Sequence, residues 1–92
     1  MRMSERERSS MDRKIFGLGL SVEAVSLYIL CAALVDEGRT VSTKSVTPTW
    51  NSDAAALTFA FGELERRGVL RKILSDLVGN DAYRIMDSAE WR

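Results

Sequence analysis

The sequence predicts an α+β fold, three helices followed by a C-terminal β-hairpin. Three stretches carry that expectation. Ser21 and Gly38 bracket a strongly apolar segment, EAVSLYILCAALVDE, with a capping residue before it and a helix stop after it. From Trp50 the chain reads as a tight turn and then a helix whose Leu57, Ala60, Phe61 and Leu64 fall at i, i+3, i+4 and i+7. After Leu70, the apolar positions Ile73, Tyr83 and Ile85 fit half-buried strands around the turn-forming Gly79, Asn80 and Asp81.

Taken in order, residues 1–14 are almost free of apolar side chains and alternate in charge, so they cannot bury enough surface to offset their ordering entropy. They form an expected disordered arm, and residues 15–92 the domain. Arg2, Arg6, Arg8, Arg13 and Lys14 outweigh Glu5, Glu7 and Asp12, which makes the arm the one clearly positive part of the chain. The segment from Ile15 to Leu20 is broken by Gly17 and Gly19 and is expected to lie extended on the core.

Ser21 caps the first helix, and Glu23 in its first turn suits the helix dipole. This helix is apolar around most of its circumference, so material must cover both of its sides. Cys31 lies within it and reads as a small core hydrophobe. Arg39 to Ser42 is a short β-branched strand. Ser42 or Thr43 then caps a second helix, which Pro48 confines to about one turn or includes in its first turn. Trp50 is an apolar plug. Asn51 suits the interhelical turn, Ser52 or Asp53 caps the third helix, and Glu63 and Arg67 are spaced for an i to i+4 ion pair. Gly68 stops the helix. The final DSAEWR is expected to turn once and lay Trp91 on the domain.

Composition narrows the function classes. A chain of 92 residues has room for one domain, and 46% hydrophobic content is ordinary for a globular core. The 13 basic and 13 acidic residues cancel, so no overall field draws the chain to nucleic acid or to an anionic membrane. The absence of histidine and the single cysteine argue against imidazole acid-base chemistry, Cys/His metal sites and intrachain disulfides. No carboxylate pair stands beside a nucleophile or a phosphate-cradling glycine loop, so an enzyme is not expected, nor is a cofactor or a metal. The longest apolar run, Leu27 to Val35, is about half of the ~20 residues that cross a bilayer. The expectation is a soluble cytoplasmic protein without membrane association.

From Leu20 to Leu70 the chain resembles the winged helix-turn-helix modules of phage and plasmid replication-initiation proteins, DnaD-type N-terminal domains and related bacterial regulators. The resemblance rests on Leu20-Ser21-Val22-Glu23-Ala24, Val41-Ser42-Thr43-Lys44-Ser45-Val46 and Leu64-Glu65-Arg66-Arg67-Gly68-Val69-Leu70, in this order and without a gap. It implies a winged helix and double-stranded DNA as partner, in a transcriptional regulator or a replication accessory factor. Ser52 and Thr58 would face the major groove. Arg71, Lys72 and Arg84 of the wing would meet phosphates, with Lys44 between them and the arm, where Arg13 and Lys14 assist.

The third helix departs from that pattern. Its exposed positions are Ala54, Ala55, Thr58, Phe59 and Gly62, and no basic residue stands between Lys44 and Arg66. Such a face also suits protein assembly without DNA binding, with Phe59 as anchor and Leu77 and Val78 as an apolar hairpin tip. The over-apolar first helix adds the expectation of a homodimer, built on one of its faces around Tyr28 together with Phe16, Leu18 or Trp91.

Overall fold

A computed structural model describes residues 11–75 and 80–92. Helix α1 spans Val22–Asp36, and the Ser21 hydroxyl accepts from the Ala24 N–H at its start. At its end Gly38 takes φ +74°, and the N–H groups of Gly38 and Arg39 donate to the carbonyls of Val35 and Leu34. Glycine is favoured there because a Cβ strains that backbone region.

Strand β1 (Val41–Ser42) leads directly into α2 (Thr43–Val46), where Ser42 and Ser45 form a reciprocal capping box. Pro48 is accommodated in a separate 3-10 turn, Thr47–Thr49, near whose start the missing N–H costs nothing. Asp53 caps α3 (Ala54–Arg66) by accepting from the Ala56 N–H at 2.8 Å. Strands β2 (Leu70–Ser75) and β3 (Asp81–Ile85) pair antiparallel, and β1 adds to β3, giving the order β1-β3-β2. Among the described residues the fold is therefore α+β, with three α-helices and a small antiparallel sheet, compatible with the layout expected from the sequence.

Two sides of α1 are packed from within the chain, while Val22, Ile29 and Val35 stay exposed. Leu57, Ala60, Phe61 and Leu64 of α3 join Leu27, Cys31 and Leu34 of α1 in one buried cluster. Phe61 stacks on Tyr83 of the sheet with ring centroids 4.5 Å apart. Burial pushes the Cys31 thiol up to about 12, as fits a core hydrophobe and not a reactive thiolate. Trp91 meets the Tyr28 ring edge-on at 5.4 Å, and its indole N–H donates to the Met86 carbonyl. Ile15 is also fully buried in the cluster.

Three expectations are corrected here. The segment after Lys14 is not an extended lead-in, because Arg13–Gly17 winds into a 3-10 turn capped by Asp12, with Ile15 inward and Phe16 outward. Tyr28 is not a surface residue of α1: it is fully buried, and its hydroxyl accepts from the Asp12 N–H at 2.7 Å. Glu63 does not pair with Arg67. Its carboxylate accepts from the Ser21 hydroxyl and N–H at 2.7 and 2.9 Å, which ties α3 to the start of α1 and holds the carboxyl below its ordinary value. The Arg67 guanidinium instead donates to the carbonyls of Leu18 and Arg92.

Gly68 combines two demands in one residue. Its φ is +75°, and a Cβ built there would stand 2.6 Å from the Glu90 carbonyl oxygen. Gly68→Ala is expected to destabilise by about 1–3 kcal/mol from backbone strain alone, more if the C-terminal segment cannot shift. A loss that stays within that range by urea denaturation would show that the segment shifts, and a midpoint within error of wild type would contradict the strain itself.

Candidate nucleic-acid interface

A groove of about 460 Å³ runs between α3 and the hairpin. One wall is α3, with Ala54, Thr58, Gly62 and Glu65; the other is Lys72 and Asp81 of the hairpin; Thr43, Thr47, Trp50 and Ser52 close one end. These positions follow from local structure. The Asp53 cap sets the rotation of α3 so that Leu57, Ala60, Phe61 and Leu64 face the core, which leaves Thr58 and Gly62 on the groove side. The Trp50 indole N–H donates to the Asp53 carbonyl at 3.0 Å and fixes the turn before α3, so this half-buried residue serves the turn as well as the core. Asn80 accepts from the Lys44 N–H at 2.9 Å and ties the hairpin to α2.

The groove is rich in hydroxyls and mixed in charge. Thr58 donates to the Ala54 carbonyl and Thr47 to the Thr43 carbonyl, so each of these hydroxyls can still accept. Lys72 Nζ lies 3.3 Å from Asp81, while Ser75 donates to the same carboxylate at 2.6 Å. That hydroxyl, and then Lys72, hold the Asp81 carboxyl below its ordinary value. Glu65 adds a second carboxylate.

The predicted site residues separate into two faces. Ser52, Thr58 and Lys72 share the groove, with exposed Lys44 beside it. Arg71 and Arg84 do not. They are directly opposed across β2 and β3, while Tyr83, next to Arg84, faces α3 through Phe61. Alternation along a strand therefore turns both arginines to the other side of the sheet. Phe59 stands 76% exposed on α3 but does not line the groove. Of the expected arm, residues 1–10 lie outside the described residues. Arg13 is exposed, and Lys14 donates to the Ser88 carbonyl at 2.7 Å. Leu77 and Val78 also lie outside the described residues.

Some groove residues escape the sequence reading. Thr43 and Thr47 sit at i and i+4 ahead of the turn, and Arg66 folds its guanidinium back over the expected exposed position Gly62, within 3.5 Å of where a Cβ would be. The Gly-to-Arg spacing of four on one helix was the available signal. Among the described residues no helix is long and apolar enough to cross a membrane. Comparison with protein-family models, curated proteins and solved structures finds no match for the chain.

Proposed function

We propose that the chain is a winged-helix module that binds double-stranded DNA, with α3 as the recognition helix and the β2–β3 hairpin as the wing. One observation carries this reading: Ser52 just before α3, Thr58 within it and Lys72 of the hairpin line a single groove between helix and hairpin together with the hydroxyls of Thr43 and Thr47. A B-DNA major groove about 12 Å wide admits an α-helix, and the small Ala54 and Gly62 permit close approach of this one. Lys44, Arg66 and Lys72 supply the phosphate contacts, while Arg71 and Arg84 take no part. The role that follows is non-enzymatic and cytoplasmic, as a bacterial or phage transcriptional regulator or replication accessory factor.

With three cations engaged, the logarithm of the binding constant for a random-sequence duplex should fall against the logarithm of salt with a slope of about −2 to −3. Fluorescence anisotropy of a labelled duplex measures it. Lys72→Ala should make the slope shallower by about one and weaken all sequences alike. An unaltered slope in that variant would remove the wing from the contact.

Phe59 supports a second reading. A phenylalanine left 76% exposed on the proposed recognition helix, near a groove that carries Glu65 and Asp81, suits an apolar protein contact better than a phosphate backbone. In that case no duplex raises the anisotropy at any salt concentration.

A further inference from the structure

We propose that the groove between the first half of α1 and the turn before α3 binds a small organic cation, an ammonium group carried on an apolar body. The groove measures about 380 Å³ and is walled by α1 on one side and by residues 49–52 on the other. Val22, Ser26 and Ile29 fall at i, i+4 and i+7 and so share one face of α1. Val22 and Ile29 stand 77% and 41% exposed, and the half-buried Leu30 and Trp50 continue the same apolar lining. These apolar side chains are gathered in one cavity and not scattered over the surface.

The charge of the lining selects the occupant. Glu23 is the only charged side chain that lines this groove, whereas the groove between α3 and the hairpin carries both signs. Among the described residues the Glu23 carboxylate has no hydrogen-bond or ion-pair partner, and neither has the Ser26 hydroxyl or the Asn51 amide. A cation in the groove would give Glu23 the counter-charge it lacks, and an ammonium could donate to the oxygens of Ser26 and Asn51 as well. Trp50 adds a ring of the kind that attracts cations most strongly. Its indole N–H already donates to the Asp53 carbonyl at 3.0 Å, so the ring is held in place before a ligand arrives.

The size of the groove separates a small molecule from a partner protein. Its volume lies in the lower part of the ~300–1,000 Å³ range of small-molecule sites. A stable protein interface takes about 20–30 residues a side, and nine line this groove. The apolar wall suits a hydrocarbon or aromatic body, while an anion would meet Glu23 with no cation beside it. Nothing in this site depends on the DNA reading, although Ser52 lines both grooves.

NMR titration of the isotope-labelled full chain with phenethylammonium chloride, and separately with neutral phenethyl alcohol and anionic hydrocinnamate, tests the proposal at the Ile29 methyl and Trp50 indole N–H signals. The ammonium should shift both signals to saturation and bind about fivefold or more tightly than the alcohol, with the carboxylate weakest. Glu23→Gln should weaken the ammonium about threefold or more while the alcohol binds as before. Ile29→Ser should weaken both compounds, and circular dichroism verifies that each variant folds. Equal affinities for all three compounds, an unchanged preference for the ammonium in Glu23→Gln, or shifts that do not saturate at these two signals would overturn the proposal. Signals of Ile29 and Trp50 that move with protein concentration alone would assign the groove to a second copy of the chain and overturn it as well.

Discussion

Phe61→Ala is expected to lower the stability of the domain by about 3–5 kcal/mol, the usual cost of removing a buried aromatic ring. Phe61 is 4% exposed and is the point where α3 meets both other layers of the fold. Its ring lies nearly parallel to that of Tyr83, at 14°, and burial at this site pushes the Tyr83 hydroxyl up to about 12. Removing the ring opens a cavity between helix and sheet, and the rigid β1-β3-β2 pairing leaves little freedom to close it. Domains of this kind have only about 5–15 kcal/mol in total, so much of the population should be unfolded at 37 °C. Chemical denaturation followed by circular dichroism checks this. A midpoint close to wild type would mean that the helix–sheet contact is not where the stability resides.

Trp91→Ala should cost a similar ~3–5 kcal/mol, although the residue lies in a terminal segment where substitutions are usually mild. Trp91 is 7% exposed, rests edge-on against the buried Tyr28 and donates its indole N–H to Met86. The segment around it is held at several points. Arg92 donates its N–H to the Arg67 carbonyl, and its guanidinium donates to the Arg66 carbonyl. The Glu90 carbonyl sits against the Cα of Gly68, close enough that a Cβ would not fit. Loss of the indole would expose Tyr28 and release the outer side of α1, so amide exchange should accelerate at Leu27, Tyr28 and Cys31 before it does in α3. Equal acceleration everywhere with a small loss of stability would show that the C-terminal segment merely rests on the domain.

The sequence marks element ends well because one residue decides each of them. Ser21, Ser42, Asp53, Gly38 and Gly68 act through their own side chains or their own φ angles, and all five do so here. Segments decided by tertiary contact are less legible. Gly17 and Gly19 argue locally against a helix, yet burial of Ile15 and the Asp12 cap wind that segment into a 3-10 turn. The same applies to Glu63, whose position in sequence favours Arg67 but whose place in the fold offers Ser21.

The proposed interface was legible in part, and the missing part follows from strand parity. Leu70 is buried, so Arg71 must face away from it and Lys72 must share its side. Tyr83 stacks on Phe61, so the adjacent Arg84 must also face away. The three cations of the expected wing surface therefore divide between its two faces. The bulge at Ile73 could not be foreseen from composition, and it is what brings Leu74 to the outer face.

The most direct test of the DNA reading is a titration of the isotope-labelled protein with a random-sequence duplex at low salt, followed by amide and side-chain NMR shifts. The groove account predicts perturbations that cluster at Lys44, Ser52, Thr58, Arg66 and Lys72, with Arg71 and Arg84 unaffected. Perturbations centred on Arg71 and Arg84, or none at any residue, would contradict it.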